Sequence, residues 1–212
     1  LKAGNKKQIR GEITAASRCG FFRFTFPRSE QSHIVIQGIN LNPALADQAN
    51  DVESRIKKLK GFVKVDKENR EITGYNPDRQ SAQLGPELPN FKGYFIIQFS
   101  KPFDVFGTWS GSEIFPSTTE QFGTRMGAYI SFKTEDKEQV LVRMATSFIS
   151  LEQARTNLNE EIADWYFDKR AIHTRTIWQE NLSRTPVADG PDSQKNIFYT
   201  AMVHTLLFPR EF

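Results

Sequence analysis

The chain has 212 residues, a formal net charge of +3, and 38% hydrophobic and 25% charged residues, a balance that fits a globular domain. Its one cysteine, Cys19, excludes an internal disulfide, a cysteine metal cluster and a redox pair and reads as a small core residue. No apolar run approaches the ~18 residues needed to span a bilayer, and the only dense basic run, Arg55-Ile-Lys-Lys-Leu-Lys60, reads as a solvated face. Neither a membrane nor a nucleic acid is therefore expected as a partner.

The first two thirds of the chain read as β structure. In Phe22-Arg-Phe-Thr-Phe26 the phenylalanines share one face and Arg23 and Thr25 the other, the period of two that marks a half-buried strand, and Pro27 ends it. His33 to Gln37 is the next strand, closed by Gly38. Asn40 to Lys60 is polar and reads as a loop or short helix. Gly61 to Val65 and Glu71 to Thr73 flank Asp66-Lys-Glu-Asn69 as a hairpin. Tyr75 to Asn90, with its prolines, reads as a long surface loop. Gly93-Tyr-Phe-Ile-Ile-Gln-Phe99 is apolar on both faces, which predicts a central strand. Phe103 to Trp109 follows, then a turn-rich loop from Ser110 to Arg125. Gly127 to Phe132 and Gln139 to Phe148 close the series. Many strands without a strong intervening helix predict an antiparallel β-sandwich.

At Ser150 the pattern changes class. Ser150-Leu-Glu-Gln153 has the form of a capping box, and Leu151, Ala154, Leu158 and Ile162 then share one helical face. A second helix is predicted from about Asp164 to Leu182. A breaker-rich connection, Thr185 to Pro191, separates it from a third, near Asp192 to Leu207. The third carries apolar residues around more than half its circumference, so it is expected to be covered by further helices that the chain does not contain. On this reading the chain is part of a larger protein.

Candidate chemistry is sparse. Glu160, Glu161, Asp164 and Asp168 lie on an amphipathic surface and read as solvated or capping groups, and no two of His33, His173 and His204 have metal-ligand spacing. His204, followed by Arg210 and Glu211, reads either as a satisfied buried histidine or as one wall of a polar pocket. Trp109 and Trp165 read as core aromatics, with stacking on a sugar face as the alternative. No catalytic and no metal-binding residue is assigned.

The late block nevertheless carries a resemblance. Ser147-Phe-Ile-Ser-Leu-Glu-Gln-Ala-Arg-Thr-Asn-Leu-Asn-Glu-Glu161 resembles the linker of the α-mannosidases of glycoside hydrolase family 92. Lys195-Asn-Ile-Phe-Tyr-Thr-Ala-Met-Val-His-Thr-Leu-Leu-Phe-Pro-Arg210 resembles the opening of that family's helical barrel. More loosely, Cys19 to Pro27 and Phe103 to Trp109 are similar to its N-terminal sandwich. The resemblance implies an antiparallel β-sandwich over residues 1–148, a helical linker over 149–163, and the first helices of an (α/α)6 barrel over 164–212. It implies an inverting, exo-acting, calcium-dependent α-mannosidase, secreted or periplasmic, with a mannose-containing glycan as substrate. The catalytic carboxylates and calcium ligands would lie outside this chain, and the remainder of the catalytic domain would be its partner. The competing expectation is a stand-alone carbohydrate-binding or interaction module without catalysis.

Overall fold

The structure is a computed structural model that describes residues 8–40, 59–78 and 90–206. Two compact units divide it, residues 1–167 and 168–212.

The first unit is an antiparallel sandwich. Eleven strands are described: β1 (Arg10–Ala15), β2 (Cys19–Phe26), β3 (Ser29–Asn40), β4 (Gly61–Asp66), β5 (Glu71–Asn76), β6 (Gly93–Phe99), β7 (Val105–Ser110), β8 (Glu113–Pro116), β9 (Glu120–Gly123), β10 (Arg125–Thr134) and β11 (Glu138–Ser147). A seven-stranded sheet runs β1-β2-β11-β6-β5-β4-β9 and a four-stranded sheet runs β3-β10-β7-β8. β6 is the middle strand of the larger sheet, as its two apolar faces predict. The alternation in β2 also holds, with Phe26 buried and Phe22 and Phe24 packed against the core. Phe95, Ile97 and Phe99 of β6 meet Met126, Ala128, Ile130 and Phe132 of β10 in one apolar cluster between the sheets. Phe26 meets Phe132 edge-on at 5.5 Å and Phe99 meets Phe103 at 6.0 Å, the T-shaped geometry that aromatic quadrupoles favour.

Three strands depart from the sequence reading. The turn-rich loop from Ser110 to Arg125 contains β8 and β9, and β1 precedes the first predicted strand. All three are sheet edges. Edge strands bury few side chains, so they carry little of the alternation that reveals a strand. The expected loops or helix within 41–58 and 79–89 fall outside the described residues, as does most of the basic run at 55–60.

The larger sheet is also covered on its second face. Helix α1 (Leu151–Glu161) lies across β11, β6 and β2 and buries Ala154 and Leu158 completely. Ser150 caps it, its hydroxyl accepting the Gln153 N–H at 3.1 Å. The reciprocal half of the capping box is replaced: the Gln153 amide donates to Asn157 Oδ1 at 3.0 Å, and Asn157 donates to the Thr146 carbonyl of β11 at 2.9 Å. Ser150→Ala should therefore cost about 1 kcal/mol, readable as a lower urea midpoint.

Helix α2 (Phe167–Ser183) starts three residues later than predicted, and α3 (Asp192–Leu206) matches its predicted span to one residue. In the second unit Tyr199 Oη accepts the Val187 N–H at 3.3 Å, which ties the connection to α3. No residue of α3 is buried, and Ile197 is 70% exposed.

Candidate functional site

The best-organised polar feature of the first unit lies on the helix-bearing face of the larger sheet. Strand registers place Phe21 of β2 opposite Arg143 of β11, Arg143 opposite Gln98 of β6, and Gln98 opposite Glu71 of β5. Four side chains thus form one transverse row across four strands, all pointing away from the sandwich core. Arg143 donates to Gln98 Oε1 from Nε at 3.0 Å and from Nη2 at 2.8 Å. Gln98 in turn donates to Glu71 Oε2 at 2.9 Å. Every polar group is satisfied in sequence, as a buried network requires.

The linker binds this row at both ends. From α1, Arg155 forms a two-pronged pair with Glu71 at 2.7 and 2.5 Å. The Glu71 side chain is 6% exposed and that of Arg155 45%, so the carboxylate bears most of the desolvation and the guanidinium supplies its counter-charge. Those hydrogen bonds raise the Arg155 pKa above its ordinary value. Beyond α1, Arg143 Nη1 donates to the carbonyls of Ile162 and Ala163 at 2.7 and 2.8 Å, taking up acceptors that the end of the helix leaves open. The same guanidinium lies 4.6 Å over the Trp165 ring. Burial pulls the Arg143 pKa down, and the nearby Asp164 charge works against that. Phe21 closes the row, edge-on to Trp165 at 6.2 Å and to Phe167 at 5.3 Å, and the Arg23 guanidinium lies 4.4 Å over the Phe167 ring. The path of the chain is thereby fixed from Ser150 to Phe167.

A second clamp joins α1 to the turn before β2. Glu161 accepts the Arg18 backbone N–H at 2.9 Å and its guanidinium Nε at 2.8 Å. Burial pushes the Glu161 carboxyl up, but the hydrogen bonds from Arg18 outweigh it and hold the group below the usual carboxylate range. Glu12, bonded by Arg23, Asp66, bonded by the Asn69 backbone, and Glu138, bonded by Lys101, are also held low. A group depressed on folding contributes stability above its unfolded pKa, and that contribution is lost as pH falls through the folded value. Thermal melts should therefore show little dependence on these four groups above about pH 5 and a falling Tm below about pH 4. Glu161→Gln should shallow that acid slope.

The sequence candidates fare unevenly. His204 is exposed on α3, the helix expected to be covered by further helices outside this chain. Arg210 and Glu211 lie outside the described residues, and with them the pocket wall they would form with His204. Trp165 is half-buried and packs on Phe21 in the linker contact, whereas Trp109 lines a pocket on the opposite sheet. Cys19 is buried, as expected. The row of Phe21, Arg143, Gln98 and Glu71 is absent from the sequence reading. Its only trace is a charged or amide residue at the outward parity of strands that are otherwise apolar.

Comparison with known proteins gives a consistent result. The profile of the glycosyl hydrolase family 92 N-terminal domain matches residues 3–147, and that of the family 92 catalytic domain matches residues 153–212. Among solved structures, the fold is similar to the family GH92 inverting mannosidase BT2199 from Bacteroides thetaiotaomicron, at 29% identity and a TM-score of 0.82, over 96% of this chain and 25% of that one. It is also similar to the GH92 alpha-mannosidase BT3965 from the same bacterium, at 26% identity and a TM-score of 0.72, over 96% of this chain and 26% of that one. The GH92 family glycosyl hydrolase ccman5 shares the fold at 21% identity and a TM-score of 0.73, over 95% of this chain and 25% of that one. No curated protein matches the chain. The chain spans about a quarter of the length of these solved structures. With the N-terminal profile of the family covering more than half of its residues, and a sandwich of matching fold carrying the linker, the chain belongs to glycosyl hydrolase family 92.

Proposed function

We propose that this chain is the sandwich, the linker and the first barrel helices of an inverting, exo-acting α-mannosidase that removes mannose from α-linked glycans. The observation that carries the reading is the meeting of the two family profiles at the linker, one ending at residue 147 and the other starting at residue 153. Likeness to BT2199, an inverting mannosidase, supports it, as does a structure of BT3965 in complex with mannoimidazole. A stand-alone binding module accounts less well for the start of a catalytic-domain profile at residue 153 and for the exposed apolar residues of α3.

The residues of this chain position rather than react. An inverting glycosidase needs one carboxylic acid and one carboxylate about 6.5–9.5 Å apart, with water between them. Glu161 is committed to Arg18, Glu71 to Arg155 and Gln98, and Asp164 accepts the Tyr166 N–H. As the family resemblance implies, the acid and base are assigned to the rest of the enzyme. What the chain supplies is the row beneath the linker, which fixes where the polypeptide leaves the sandwich at Phe167.

Calcium belongs to the same proposal. Among the described residues no group of three or more His, Cys, Asp or Glu side chains is arranged to hold a metal, so these residues do not fit calcium. Its ligands, like the catalytic pair, are assigned to the remaining catalytic domain, and a secreted or periplasmic location is part of the reading. The test is proton NMR of the full polypeptide acting on an aryl α-mannoside, with chelator and calcium add-back. Release of β-mannose first, lost with chelator and restored by calcium, is expected. Initial release of α-mannose, or activity indifferent to the chelator, would overturn the mechanism.

A further inference from the structure

The outer face of the four-stranded sheet holds a pocket of about 580 Å³ that has no part in the linker contact. Two aromatic rings form its floor. The registers place Trp109 of β7 opposite Gly127 of β10, and Tyr129 of β10 opposite Gly107 of β7. A Cβ on Gly127 would stand 2.8 Å from Trp109 Cε2 and Cζ2, and one on Gly107 would stand 2.7 Å from Tyr129 Cε1. Each ring therefore lies down on the glycine of the neighbouring strand, with its other face turned outward. The indole is pinned further by its Nε1–H, which donates to the Ile36 carbonyl at 3.3 Å.

Polar groups ring this floor. His33 hydrogen-bonds through Nδ1 to Ser131 Oγ at 2.5 Å, which fixes the imidazole plane and leaves Nε2 on the far side of the ring. Ser112 and Glu113, both exposed, form the end wall at the β7–β8 turn, and Ile114, 66% exposed, continues the apolar floor.

We propose that this pocket is a glycan-contact site that takes one pyranose ring of a neutral oligosaccharide. A pyranose has one face of C–H groups and a rim of hydroxyls. A flat aromatic floor with hydrogen-bonding groups around its edge is the complementary surface, and orientation by a few placed polar groups is what small-ligand pockets use. Glu113 selects against an anionic sugar by charge. A protein partner fits poorly, because a stable interface needs about 20–30 residues a side and this pocket is formed by a few. The inference does not rest on the mannosidase reading.

The test is a titration of the isotopically labelled chain with methyl α-mannopyranoside and methyl β-glucopyranoside, followed by two-dimensional NMR. Saturable shifts of the Trp109 indole N–H and the Tyr129 and Gly107 amides are expected with at least one of them. Trp109→Ala should weaken that binding about tenfold, and Trp109→Phe, which keeps a flat ring, by less. Glu113→Gln, which leaves the aromatic floor intact, should alter affinity without changing far-UV circular dichroism. An absence of saturable shifts, or shifts confined to other surfaces, would overturn the proposal. So would shifts of the same signals that track protein concentration without sugar, because these would mark a surface between copies of the chain. Loss of binding here with mannose release by the full polypeptide intact would sink this site alone. Binding here without mannose release would sink only the catalytic reading.

Discussion

Arg155→Met is expected to destabilise the first unit by about 2–4 kcal/mol in urea unfolding. The variant leaves the Glu71 carboxylate, 6% exposed, without its cationic partner, and Gln98 is left to satisfy it alone. Removing one member of a buried pair typically costs about 3–5 kcal/mol; the expectation is set lower because Arg155 itself is partly exposed. The double variant Glu71→Leu/Arg155→Met should recover much of the loss, because no uncompensated charge then remains in the contact. Equal loss in the single and double variants would show that an uncompensated Glu71 charge is not what the single variant costs.

Phe21→Ala is expected to cost about 3–5 kcal/mol, since the ring is fully buried and its removal leaves a cavity beneath Trp165 and Phe167. The effect should reach beyond stability. With the floor gone, Trp165 loses its edge contact with Phe21 and keeps only the Arg143 guanidinium over its ring. Amide exchange of residues 162–167 should rise more than that of β6 or β10. A uniform rise across the sandwich would mean that Phe21 serves the core generally and does not specifically seat the linker.

Both variants act on a row that single-strand patterns do not reveal, and this explains what was and was not legible in the sequence. Local signals read well. The three phenylalanines of β2, the doubly apolar β6 and the Ser150 cap each express one physical rule within a few residues, and each has its expected place. Edge strands read poorly because β1, β8 and β9 bury little. The row of Phe21, Arg143, Gln98 and Glu71 read not at all, because it exists only once four strands pair in register. Arg143 and Gln98 alternate with apolar residues and look solvated; a helix laid over them turns their outward parity into a second interior. α3 buries none of its own residues within this chain, as expected of a helix whose cover lies outside it. The strand pattern alone predicts a core Trp109, and the structure lays it on the outer face because Gly127 makes room for the ring.

On the proposed function this chain is not expected to cleave the bond by itself. The most direct measurement is hydrolysis of an aryl α-mannoside in calcium-containing buffer, with the purified 212-residue chain and the full polypeptide assayed side by side. Mannose release by the full polypeptide and none above background by the chain alone is the expected result. Turnover by the chain alone would contradict it, because the acid and base would then have to be among its own residues.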